Sequence, residues 1–267
     1  MGPPDAARTG TRPPPAGPRI TRRPMTQPSP TFRPLYLQIK GLLEKSLEAG
    51  EWRPAEPIPS EVELARRFGV AQGTVRKAIE ALAADHLVVR RQGKGTFVAT
   101  HTEERTSMFR FLRIRRNDGK DEYPGSRLID VRRARASADV ARILRLRSGE
   151  GVVVLRRILE YGGVPAVLDE ITLPAALFKG LTRARFLAYH GSMYGFFETQ
   201  YGVRCLNAEE KLRAVAADET SAGLLGVAPG TPLLAVDRVT FTYGERPVEW
   251  RRGLCLTRDH HYFARLG

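Results

Sequence analysis

At 267 residues the chain is long enough for two ordinary domains, each able to bury its own core. Its 42% apolar and 27% charged residues suit a soluble globular protein, and no run of about 18 apolar residues offers a membrane-spanning helix. The formal charge of +14 calls for a polyanionic partner, because Lys and Arg release counterions when they neutralise phosphates. That charge is spread along the whole chain, so it raises the expectation of nucleic acid without settling it. Cys205 and Cys255 lie far apart without metal-ligand spacing. The opening residues carry Arg without the apolar stretch of a secretory signal, so reduced thiols and a cytoplasmic location are expected.

Residues 1–32 are rich in Pro, Gly, Arg and Thr with almost no large apolar side chains, and read as a disordered basic tail. Contact between this arm and DNA is an open alternative. Over residues 33–100 the pattern turns helical. Leu35, Ile39, Leu42, Leu43 and Leu47 recur at helical spacing until Gly50, and Pro54, Pro57 and Pro59 forbid continuation. Ser60 is a good N-cap for a second helix, with Glu61 and Glu63 in its positive first turn and Gly69 at its end. A third helix spans about Gln72 to Ala84, with Val75, Ile79 and Leu82 on one face. Leu87 to Arg91 reads as a strand, Gln92 to Gly95 as a turn and Thr96 to Val98 as the returning strand.

Residues 101–108 lack apolar periodicity and read as a linker. Beyond them, 109–267 mixes dense β-type runs at Val152–Leu159 and Thr231–Phe241 with helical patterns near 137–146, 192–201 and 218–225. Gly162-Gly163 and Gly244 mark turns. The mixture predicts a separate α+β domain.

Three short helices followed by a hairpin make a winged helix-turn-helix, whose second motif helix lies in the major groove. The residues placed to meet DNA are Ala71, Gln72, Gly73, Thr74, Arg76 and Lys77 on that helix, with Ser60 and Arg66 before it. The wing adds Arg90, Arg91, Gln92, Gly93, Lys94 and Gly95. Gln72 can pair bidentately with adenine, and Arg76 with guanine or phosphate. Gly73 and Gly95 are expected to answer to backbone geometry. The stretches Pro34-Leu35-Tyr36-Leu37-Gln38-Ile39, Pro59-Ser60-Glu61-Val62-Glu63-Leu64-Ala65, Gly69 through Ile79, and Gly93-Lys94-Gly95-Thr96-Phe97-Val98 resemble, in order, the GntR-type regulators. Most of that family carry Ser-Arg where this chain has Ala71-Gln72, so the resemblance implies the fold but leaves the operator sequence open.

Gly191-Ser192-Met193-Tyr194, the Ala222–Val227 run, Gly230–Leu234, Arg238 and Arg246-Pro247-Val248-Glu249 resemble the UTRA effector domain of HutC-type members. That resemblance implies a chorismate-lyase-like antiparallel sheet with a metabolite pocket, and a dimer on a two-fold operator. The pocket positions it implies are Arg157, Asp169 or Glu170, Ser192, Tyr194, Arg238 and Glu249; Arg238 and Glu249 would equally suit an ion pair across strands. Leu159 stands where phosphosugar-binding members have a second Arg, which argues against a doubly clamped phosphate. A carboxylate- or amine-bearing metabolite fits the same residues.

Other classes stay in view. His190 beside Ser192 is the nearest thing to a catalytic pair, and Asp259-His260-His261 to a metal site, but adjacent strand residues face opposite ways and a solvated terminus is expected. No catalytic residue, cofactor or metal is assigned. The fold class expected is α+β, a winged helix-turn-helix followed by an effector domain. The partners expected are double-stranded DNA, a small effector and a second copy of the chain.

Overall fold

The computed structural model describes residue 2 and residues 33–101, 111–120 and 122–264. The expected tail at residues 1–32 therefore lies, apart from residue 2, outside the described residues, as do residues 102–108 of the expected linker. From Pro34 onward the chain belongs to one compact unit.

The N-terminal half follows its local signals. Helix α1 (Leu35–Glu48) buries Ile39, Leu43 and Leu47 along one stripe. Helix α2 (Glu61–Phe68) opens on a capping box in which the Ser60 hydroxyl accepts the Glu63 N–H and Glu63 accepts the Ser60 N–H. It ends at Gly69, whose φ of 64° lies in the left-handed region where a side chain is strained. Helix α3 (Gln72–Ala84) packs Val75, Ala78, Ile79 and Leu82 inward. The wing is β1 (Val88–Arg91) paired antiparallel with β2 (Gly95–Val98), so Gly95 opens the second strand rather than closing the turn.

The C-terminal half is built on a six-stranded antiparallel sheet in the order β4-β5-β6-β9-β8-β7. Its strands are β4 (Gly125–Arg135), β5 (Gly151–Tyr161), β6 (Val164–Pro174), β7 (Asn207–Ala216), β8 (Pro232–Thr242) and β9 (Arg246–Cys255). A short pair, β3 (Ile114–Arg116) with β10 (His260–Tyr262), lies apart. Helices α4 (Ala138–Leu144), α5 (Arg183–Leu187), α6 (Met193–Tyr201) and α7 (Glu219–Leu225) complete it. The central strands β5 and β6 are buried along most of their length and read as apolar runs, whereas edge strand β7 is exposed or half-exposed throughout. Phe178, Phe196 and Phe197 form the heart of the main core with strand residues Leu155, Ile171 and Leu173. Cys205 and Cys255 are buried in different clusters, and burial pushes the Cys255 thiol up to about 12.

Of the expected solvated terminus, Asp259 is exposed, but His260 and His261 belong to strand β10. His260 is buried with its ring 4.8 Å from that of Tyr161, while exposed His261 turns the other way, its Nδ1 2.9 Å from the Asn117 side-chain oxygen.

One hydrophobic cluster draws on both halves. Leu206, ahead of β7, is buried within the cluster formed by α1, α3 and the wing, where Tyr243 also packs. Leu206→Ala is expected to lower stability by about 2–4 kcal/mol, because it opens a cavity in the winged-helix core. Denaturant unfolding of the full chain measures this; a loss below about 1 kcal/mol would show that the cluster closes without it.

Candidate functional site: a nucleic-acid interface joined to a ligand cavity

Two surfaces carry the predicted site residues. On the first, Ala71, Gln72, Gly73, Arg76 and Lys77 are exposed at the start of α3, and Thr74 is half-buried. Gly73 meets nothing within 4 Å of a built Cβ and its φ is not positive. Backbone geometry therefore does not demand glycine at 73, contrary to expectation, although it does at Gly93 and Gly95, with φ of 70° and 108°.

The polar side chains of this face converge on Glu61, expected only to complement the dipole of its own helix. One Glu61 carboxylate oxygen accepts Gln72 Nε2 at 3.3 Å and Arg76 Nε at 3.0 Å, and the other accepts wing residue Arg90 at 3.0 Å. Partial burial works against the charge of Glu61, but the bonds and charges of Arg76, Gln72 and Arg90 outweigh it and hold the carboxyl below its usual range. Arg91 lies over the Phe97 ring at 4.7 Å, Arg66 is exposed, and the Ser60 hydroxyl is engaged in its cap. Gln92 and Lys94 are exposed on the wing tip.

The second surface is a cavity of about 260 Å³ against the start of α6. Arg157, Ser192 and Tyr194 line it. Asp169 sits directly behind the wall with 0% exposure, accepting Arg157 Nε at 3.1 Å and Arg251 Nε at 2.8 Å. Burial opposes the charge on Arg251, yet attraction to Asp169 prevails and raises its guanidinium above the ordinary range. A Cβ at Gly253 would come within 3.2 Å of the Asp169 carboxylate, so this glycine makes room for the cluster. Glu170 points to the opposite face of β6, 3.6 Å from Arg156, and is not brought to the cavity.

Arg238 and Glu249 do not pair across strands. Arg238 instead bonds Glu210 on β7 and the Tyr194 hydroxyl, beside a small adjoining cavity, while Glu249 accepts the Thr240 hydroxyl at 2.8 Å. Ser192 is likewise committed: its hydroxyl caps α6 by accepting the Gly195 N–H at 3.0 Å and donates to the His101 carbonyl at 3.4 Å. No hydrogen bond joins it to His190 among the described residues; what the hydroxyl does here is cap a helix.

Arg251 and His101 escaped the sequence reading. Arg251 follows Glu249 by two residues on one strand, a spacing that places both on one face. His101 falls within the expected linker, yet it is 6% exposed and its ring lies 5.8 Å from that of Tyr194 in the cavity wall. The segment leaving the wing is gripped at three backbone points. Arg204 donates to the Ala99 carbonyl, Glu198 on α6 accepts the His101 N–H at 2.7 Å, and Ser192 reaches the His101 carbonyl.

Comparison with known proteins matches this geometry. The profile of the bacterial regulatory proteins of the gntR family covers residues 35–98, and that of the UTRA domain residues 119–261. The chain belongs to the GntR family. It is a DNA-binding transcription regulator of the HutC-like branch, with a winged helix-turn-helix and a UTRA domain. The repressor NagR of Bacillus subtilis is 30% identical over 210 residues, 78% of this chain and 84% of that protein. The histidine utilization repressor of Pseudomonas putida is 28% identical over 221 residues, 80% of this chain and 85% of its own. Among solved structures, a ligand-binding domain from Bordetella bronchiseptica, described as that of a GntR-family regulator, is 48% identical. It covers 59% of this chain and 98% of its own with a TM-score of 0.57. PhnF from Mycobacterium smegmatis is 26% identical, covering 86% of this chain and 99% of its own at a TM-score of 0.51. No helix among the described residues of this family member is long and apolar enough to cross a membrane.

Glu198 gives the regulator a pH signature. Burial raises its carboxyl above the ordinary value of 4.5, and the His101 N–H, Arg204 and Thr100 only partly oppose this. Between those two values the folded chain keeps a proton that the unfolded chain has released, so stability falls as pH rises through the window. Relative to Glu198→Gln, the native chain should lose stability with rising pH from about 4.5 upward and then level off. Unfolding free energies of both proteins across that range test it; a difference that stays flat or increases with pH would exclude an ionisation cost at Glu198.

Proposed function

We propose that the chain is a cytoplasmic repressor that binds operator DNA as a homodimer and releases it when a small metabolite fills the cavity beside α6. The proposal takes the cavity as a binding site and not a catalytic one. Its carrying observation is the placement of His101: the residue that follows the wing by three positions is itself part of the cavity wall. A ligand that contacts this wall differently in two arrangements of the connector has the differential affinity that control requires. The names of two relatives, a repressor from Bacillus subtilis and a histidine utilization repressor, support repression as the sign of control.

On the DNA side, exposed Gly73 supports close approach of a duplex to the start of α3. Glycine inside a helix costs about 0.5–1 kcal/mol relative to alanine, and no contact of the fold explains it. Gln72 is the base-reading residue of this proposal. Gln72→Ala should weaken binding to a duplex selected by the protein from a randomised pool by about 1–3 kcal/mol, and leave random duplex nearly unchanged. Equal losses on both, seen in gel-shift titrations, would remove Gln72 from base readout.

Effector control is tested with the same selected duplex and a metabolite library. Arg157→Ala should lose the release that library members cause in the native chain while Arg251 still pairs with the Asp169 carboxylate, and unfolding curves and unliganded DNA titrations separate the lost ligand contact from the lost ion pair. A variant that still responds normally would remove Arg157 from the site. A library in which no compound changes DNA affinity would overturn effector control itself.

A further inference from the structure

We propose that Glu61 is a specificity-determining residue of DNA binding, one that holds the reading side chains in register and penalises duplexes that offer only phosphates. The carboxylate joins three elements: its own helix α2, Gln72 and Arg76 on α3, and Arg90 on the wing. Its side chain is 21% exposed, against 54% for Arg76 and 43% for Arg90, so it stands beneath the cations rather than beyond them. Two consequences follow from elementary electrostatics.

The first is order. A glutamine and two arginines on separate elements would each sample several rotamers in water, and fixing such side chains costs up to about 2 kcal/mol apiece. Bonds to one shared acceptor restrict that freedom before DNA arrives. The second is selection. Arg76 and Arg90 are already paired, so a passing phosphate must replace or share a carboxylate partner, and the phosphate is itself repelled by Glu61. A duplex with the right bases offers Gln72 and Arg76 directional bonds that the carboxylate cannot match. A duplex without them offers only charge, which the carboxylate has already supplied. Glu61 therefore weakens indiscriminate binding more than it weakens binding to the preferred sequence.

The test uses the full chain, a duplex that the native protein enriches from a randomised pool, and a random duplex of equal length. Glu61→Gln removes the negative charge and keeps a side chain of the same reach. Random-duplex affinity should rise about tenfold at low salt, as expected for loss of one like charge near the surface. Affinity for the enriched duplex should stay level or fall, so the ratio between the two drops about tenfold or more. The slope of log affinity against log salt on random DNA should steepen by about one to two, as Arg76 and Arg90 become available to phosphates. Glu61→Asp keeps the charge but shortens the reach, and should lose affinity for the enriched duplex without gaining any on random DNA. Equal changes on both duplexes in Glu61→Gln, or an unchanged ratio, would overturn the proposal, as would Glu61→Asp matching the native chain on both. Native protein that enriches no sequence from the pool would overturn it too, since there would be no selectivity to set.

Discussion

The grip on the three residues after the wing is the constraint on which the rest of this molecule turns. Ala99 and His101 are held through their backbone carbonyl and N–H groups by Arg204 and Glu198, and the His101 carbonyl by Ser192. Backbone groups have no rotamers with which to evade a partner, so the wing cannot shift relative to α6 without breaking these bonds. Buried polar groups cost about 1–3 kcal/mol when left unpaired, which makes partial release unfavourable. Helix α6 adds the second requirement. Its first turn lines the cavity and its Glu198 holds the connector, within nine residues of one rigid element.

The charged layer in the sheet shows the same economy of position. Asp169 is fully buried between two guanidinium groups, in a register that puts it opposite Arg157 and Gly253. Such a cluster is weak evidence for stability, because desolvation of three ions offsets much of their attraction. What it achieves is placement: both guanidinium groups are tied at Nε behind the cavity wall, which fixes where their remaining N–H groups lie.

Much of this was legible in the sequence because local rules and the global fold agree. Ser60, Gly69 and the Val75, Ile79, Leu82 stripe announce their helices, and the glycines of the wing announce its turn. Arg157, Ser192 and Tyr194 line one cavity. The failures have physical causes. Strands β4 and β7 lie on sheet edges with both faces partly wet, so neither shows an alternating apolar pattern. Glu170 and Asp169 are adjacent carboxylates that sequence alone cannot assign to faces until the strand register is known. His101 looked like linker because its ring packs beside Tyr194, more than ninety positions away, as well as beside Phe111. Glu61 looked like a helix-dipole residue because its three partners come from two other elements.

Leu206 places the physical border of the DNA-binding module somewhere other than its border along the chain. Sequence profiles end that module at residue 98, but its packed interior includes a side chain contributed more than a hundred residues later. A fragment cut after the wing would lack one buried member of the cluster that holds Leu43, Leu82 and Leu87, and a foreign winged helix grafted in its place would have to accommodate that side chain. Exchange of reading heads among such regulators is in this sense a problem of core design, solved at one leucine before any question of linker length arises.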